Sequence, residues 1–177
     1  LRRAPPGGQQ AYRAQAIIDR QVQHLTRIVD DLLDVTRIAR GEVSLRRERV
    51  ELCELVRRTI IDHRAGFDAT GVGLEGRVGA EPLWVDADPT RLVQVLGNLL
   101  GNAAKFTTRG GSVEVRLERE GARVVLRVRD TGVGIAPEEH ARLFEPFAQG
   151  AQALDRTRGG LGLGLAMVKG LVELHGG

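Results

Sequence analysis

The sequence has few aromatics, one cysteine and no long apolar run. Phe, Trp and Tyr together make 3% of 177 residues, which argues against a nucleic-acid surface of aromatics interleaved with basic side chains. A lone Cys53 excludes an internal disulfide framework and fits a reducing compartment. No stretch approaches the roughly 20 apolar residues that span a bilayer, and the start Leu1-Arg2-Arg3-Ala4-Pro5-Pro6 is not a signal peptide. The expected compartment is cytoplasmic, with any membrane anchor of a parent protein upstream. Excess charge is also missing: 26 Lys and Arg face 23 Asp and Glu, interspersed, for a net charge of +3. That is a poor footprint for nucleic acid. The absence of an initiating Met predicts a fragment.

What is present is the composition of a globular chain, 42% hydrophobic and 28% charged, long enough for one compact domain and an appendage. Residues 1–10, with Pro5-Pro6-Gly7-Gly8, read as a loop or ragged end. Ile18, Val22, Leu25, Val29 and Leu32 then follow at spacings of 4, 3, 4 and 3, a heptad seam broadened by Ile28, Val35 and Ile38. This predicts one long bundle helix from about Ala11 to Ala39, stopped at Gly41. Extended chain is expected around 43–52 and a second helix over 52–67, broken at Gly71 and Gly73. A short strand is expected at Leu83-Trp84-Val85, and a third helix from the cap Asp88-Pro89 to Phe106. Strict alternation at Val113, Val115, Leu117 and at Val124, Leu126, Val128 predicts a hairpin turning at Glu120-Gly121-Ala122. A last helix is expected over 161–175. Together these predict an α+β fold, a mixed sheet packed on helices, behind a bundle helix.

Three groups of residues carry candidate chemistry. Asn98, Asn102 and Lys105 fall on one face of the third helix, presenting two amides and an ammonium. An amide oxygen suits Mg²⁺, which keeps several waters and shares phosphates, and a lysine adds a point charge for phosphate; a solvated helix face is the plain alternative. Asp130-Thr131-Gly132-Val133-Gly134-Ile135 ends a strand, and Asp130 shares parity with the apolar Val124, Leu126 and Val128. Its carboxylate needs a donor, either an adenine amine or the local amides of a turn. Gly159-Gly160-Leu161-Gly162-Leu163-Gly164-Leu165 runs into the last helix, as an anion site of free backbone amides or as a flexible linker. Phe144 and Phe147 flank Glu145-Pro146, as core anchors or as pins for a mobile lid, with Arg156 and Arg158 candidates for phosphate contact.

In combination these residues resemble the sensor histidine kinases of two-component systems, within the Bergerat-fold ATPases. Residues 94–107 look like the N box, 130–135 the G1 box, 144–147 the F box and 160–165 the G2 box. Upstream, residues 20–40, with Asp30-Asp31-Leu32-Leu33-Asp34, look like the second helix of the dimerisation and histidine-phosphotransfer bundle. The resemblance implies a two-layer α/β sandwich, with residues 11–41 as the partial bundle and 42–177 as the ATP-binding domain. It implies ATP and Mg²⁺ as ligands: Asn102 for the metal, Asn98 supporting metal or phosphates, Lys105 for phosphate and Asp130 for adenine. Gly132, Gly134, Ile135, Phe147, Gly160, Leu161, Gly162, Leu163, Gly164 and Leu165 complete the implied nucleotide site. It further implies homodimerisation through the bundle and a response regulator receiver domain as partner.

Two departures stand out. The acceptor histidine of the family, followed by an acidic residue, is absent: His24 precedes Leu25, and His63, His140 and His175 fit no better. The chain also stops at Gly177, where the family adds a strand pair, so that pair is expected to be missing. Relatives that hydrolyse ATP carry a Glu at the position of Asn98, so the resemblance implies phosphate transfer to an outside histidine. A non-catalytic nucleotide-sensing or dimerisation module and an anti-sigma-type serine kinase are the alternatives.

Overall fold

The computed structural model describes residues 9–148 and 161–177. Helix α1 spans Gln9–Ala39, starting two residues before the expected point, inside the segment expected to be loop. It ends as its sequence dictates: Gly41 takes φ +68, with Gly41 N–H donating to the Ile38 carbonyl at 3.0 Å and Glu42 N–H to that of Arg37 at 2.9 Å. This is a Schellman stop, for which glycine has no Cβ penalty.

Strand β1 (Glu48–Glu51) leads directly into α2 (Leu52–Thr70). Glu51 is the hinge, its carboxylate accepting from Cys53 N–H at 3.0 Å, Glu54 N–H at 2.7 Å and Leu83 N–H at 3.1 Å. Strand β2 (Gly73–Val78) follows, then β3 (Trp84–Ala87) and α3 (Pro89–Phe106). As expected, Asp88 caps α3, accepting from Arg91 N–H at 3.2 Å, and its second oxygen accepts from Arg46 N–H at 3.0 Å. The predicted hairpin is β4 (Ser112–Glu120) and β5 (Arg123–Asp130), with Gly121 at φ +62 in the turn. A 3₁₀ turn covers Pro137–Arg142, and α4 spans Gly164–Leu174.

Strands β2, β4 and β5 form a mixed sheet in which β2 runs parallel and β5 antiparallel to central β4; β1 and β3 form a separate antiparallel pair. β2 was not legible in the sequence, because Gly71 and Gly73 read as breakers and Gly73 opens the strand. At Gly76 a Cβ would lie 2.8 Å from the Ile60 Cδ1 of α2, so helix and strand pack closely there.

The inner face of the sheet (Leu74, Val113, Val115, Leu117) packs on Val56, Ile60 and Phe67 of α2 and Leu96, Leu100 and Ala103 of α3. The other side of α3 supplies Val95 and Leu99 to a second cluster with Val35 of α1, Leu163 just before α4, and Met167, Val168 and Leu171 of α4. His175 closes that side. Asp88 N–H donates to its Nε2 at 3.0 Å, which leaves Nδ1 as the donor to the Leu171 carbonyl at 2.7 Å. Among the described residues no helix is long and apolar enough to cross a membrane.

Candidate functional site

Helix α3 turns Leu96, Leu100 and Ala103 to the sheet, and the 3.6-residue period leaves Asn98, Asn102 and Lys105 half-buried on another face. Burial pushes the Lys105 ammonium below its ordinary pKa, because partial desolvation disfavours the charged form. Its Nζ stands 4.6 Å from the centre of the Phe106 ring. Next to this face is the start of α4: a Cβ on Gly164 would lie 3.5 Å from Asn98 Oδ1.

The other end of α3 meets the Asp130–Ile135 turn. The Phe106 carbonyl accepts from Val133 N–H at 3.3 Å, and a Cβ on Gly132 would lie 2.5 Å from that oxygen. Glycine is therefore required there by space, its φ not being positive. Asp130 is exposed at the strand end despite its inward parity, and its Oδ1 accepts from Gly132 N–H at 2.9 Å. The local-turn reading thus holds for one oxygen of this carboxylate. Gly134, at φ +73, allows the chain to turn away, leaving Val133 and Ile135 exposed.

Phe147 adopts φ +64, the sole non-glycine residue with positive φ among those described. A bulky side chain in that region costs energy that surrounding contacts must supply. Here its N–H donates to the Gly162 carbonyl at 3.1 Å, and Gly162, at φ +71, passes so close to the Ala148 carbonyl that no Cβ fits. Phe144 and Phe147 are 44% and 59% exposed, which corrects the expectation that they serve partly as core anchors: the segment is held by backbone contacts instead.

Because Gly162 is left-handed, the last helix begins at Gly164 and not at the expected Leu161, and no side chain caps its first amides. Leu161 is exposed, Leu165 is half-buried and Leu163 is in the second core cluster, where its side chain packs the fold. Gly159, Gly160, Arg156 and Arg158 lie outside the described residues. The structure thus brings Asn98 to Gly164, Phe106 to Gly132, and Phe147 to Gly162. Phe106 escaped the sequence reading; its adjacency to Lys105 was the available signal. Among the described residues no group of three His, Cys, Asp or Glu is placed to hold a metal; the Asn102 amide is of a kind that suits a cation keeping water and phosphate oxygens.

Residues 87–177, which include every segment of this site, match the family model described as histidine kinase-, DNA gyrase B- and HSP90-like ATPase. The chain belongs to that ATPase family. Within it the chain is a catalytic domain of the sensor histidine kinase type. It is 40% identical over 157 residues to the circadian input-output histidine kinase CikA of Synechococcus elongatus, covering 88% of this chain and 21% of that protein. A solved structure of full-length ShkA in complex with AMPPNP has a TM-score of 0.79 at 31% identity, covering 96% of this chain and 35% of that one. The histidine kinase ThkA in complex with response regulator protein TrrA gives 0.63 at 26%, over 83% and 42%. The chain spans 21% to 38% of the length of the curated relatives compared with it.

Proposed function

We propose that this domain binds Mg-ATP between α3, the turn at residues 130–135 and the segments 144–147 and 161–165, and donates the γ-phosphate to a histidine outside this chain for relay to a response-regulator aspartate. The observation that carries this reading is the contiguity of the family's four boxes through three close contacts at Gly164, Gly132 and Gly162. Asp130 keeps one carboxylate oxygen for an adenine amine after its bond to Gly132. Asn102 is the metal ligand, with Asn98 supporting metal or phosphates and Lys105 contacting phosphate. Bound magnesium neutralises phosphate charge and orients the terminal phosphate. The uncapped first amides of α4 suit an anion. Asn98 has no basic group with which to activate water, which favours transfer over hydrolysis.

Residues 11–41 are read as part of a dimerisation bundle and 42–177 as the ATP-binding domain. The seam of α1 supports a homodimer, since Ile18, Val22, Leu25, Val29 and Leu32 are 39% to 59% exposed. The ThkA complex supports a receiver domain as partner.

Calorimetry tests the reading: ATP should bind with magnesium dependence, and Asn102→Ala should weaken binding about tenfold or more, the loss of a charge-assisted contact. Label should pass from ATP to an added bundle domain bearing a histidine and be lost in acid. Folded protein without ATP binding refutes the nucleotide site, and acid-stable label refutes the histidine acceptor.

A further inference from the structure

Among the described residues β2 is an end strand of its sheet, with no strand paired to its outer side. The Gly73 N–H donates to the Gly111 carbonyl at 2.9 Å, and the register with β4 runs unbroken from Gly73 to Val78. Backbone groups alternate in direction along a strand. Those of Gly73, Glu75 and Arg77 therefore face β4, and those of Leu74, Gly76 and Val78 face outward. Gly76 is exposed, even though Ile60 Cδ1 fills the space beside its Cβ position at 2.8 Å. Its exposure is thus that of an open backbone. Such an edge is a template for another strand unless a proline, a bulge or an inward charge blunts it, and the run from Gly73 to Val78 has none of the three.

The charges on β2 select the partner. Antiparallel pairing about a two-fold axis at Gly76 sets Gly76 against its own copy, Leu74 against Val78 and Glu75 against Arg77. Leu74, Gly76 and Val78 then form the hydrogen-bonded pairs. Glu75 and Arg77 fall in the non-hydrogen-bonded pairs, where side chains approach most closely and opposite charges stabilise. Both side chains are exposed. Arg77 Nε stands 2.9 Å from Glu75 Oε1 and 2.8 Å from Glu114 Oε2, so a second copy would extend a ladder of opposite charges already present. The other end strand, β5, carries Arg123, Arg127 and Arg129 against a single Asp130, and a second copy there would gather like charges.

We propose that the edge of β2 is a self-association surface, on which two copies of this chain pair antiparallel about Gly76 into one continuous sheet. The contact requires no nucleotide. β2 packs on α2, whereas α1 packs with α4 on the other side of α3, so β2 pairing leaves the α1 seam free and can join one bundle dimer to the next. One short strand buries little surface, which makes the contact weak and transient.

The test starts from protein whose α1 seam is weakened by Val22→Ser with Val29→Ser. As its concentration rises, amide exchange should slow at Leu74, Gly76 and Val78 more than at Glu75 and Arg77, which bond to β4 in either state. Sedimentation should show association that Glu75→Arg weakens about tenfold, and Arg77→Glu as much, because each sets like charges opposite one another. Within the fold each new side chain faces an opposite charge on β4, Glu114 or Arg116, so both variants should melt with the parent. An equimolar mixture of the two should associate at parental strength, each strand again meeting opposite charges. Edge amides indifferent to concentration, association untouched by either variant, or a mixture no stronger than the variants alone would overturn the proposal. The exchange measurement needs no change in β2 and decides the matter should a variant fail to fold.

Discussion

The two faces of α3 are packed by different means. Towards the sheet, Leu96, Leu100 and Ala103 enter a cluster fed by α2, β2 and β4, with Leu96, Leu100, Val56, Val113 and Val115 fully buried. Towards α1 and α4 the apolar contact is narrower and contains a polar network. Arg91 pairs with Asp34 of α1 at 2.7 Å, both partly buried, and Gln94 Nε2 donates to the same carboxylate at 2.8 Å. The first face is a domain core built mainly from apolar side chains. The second is a docking contact, whose charged members can be resolvated when it opens. Helix α1 shows the same division along its own length, with Val35 buried in the docking contact and the seam from Ile18 to Leu32 uncovered.

If the sheet-side cluster is the core, Leu96→Ala should lower global stability by about 2–5 kcal/mol, the cost of a buried cavity, seen as a shift in the denaturation midpoint. A loss below 1 kcal/mol would remove the distinction. On the docking side, a Cβ at Gly170 would collide with Ile38 Cγ2, so Gly170→Val should cost about 1–3 kcal/mol by overpacking. Its effect should be local: amide exchange should quicken over residues 35–39 while the α3 amides near Leu96 stay protected. Uniform loss of protection would mean that the two faces unfold as one.

Asp88 joins the faces, capping α3 while its own N–H is held by His175 at the end of α4. Burial by itself would raise its carboxyl pKa, but bonds from the Arg46, Arg91 and Thr90 amides and the charge of Arg91 outweigh it and hold the value below ordinary. A depressed folded-state pKa adds stability above the unfolded pKa that is lost as pH falls through the folded one. Asp88→Ala should therefore cost about 1–2 kcal/mol near neutral pH, typical of a lost N-cap, and less in acid; a pH-independent loss would show that the charge has no part. Smallest of all, Val22→Ser with Val29→Ser should change domain stability by no more than about 0.5 kcal/mol, as exposed positions do. Sedimentation should nevertheless show weakened self-association. A large loss of domain stability would place the seam inside the fold.

Much of this architecture was legible from local rules. The stop at Gly41, the cap at Asp88-Pro89 and the hairpin around Gly121 each depend on chemistry within a few residues. β2 was hidden because its register comes from β4 and its close packing from Ile60, both distant in sequence. At the site, residue types on α3 and in the glycine-rich turns were readable, whereas the exposure of Phe144 and Phe147 and the burial of Leu163 were not. Those depend on what the rest of the chain brings alongside.

The sequence by itself determined the element types and the inventory of amides, ammonium, carboxylate and glycines, because periodicity, caps and turn residues act through neighbouring bonds. Tertiary structure alone decided which of those groups meet. Asn98 beside Gly164, Phe106 against Gly132 and Phe147 bonded to Gly162 are contacts between segments separated along the chain, and only the packing of α3 against the turns around it brings them together.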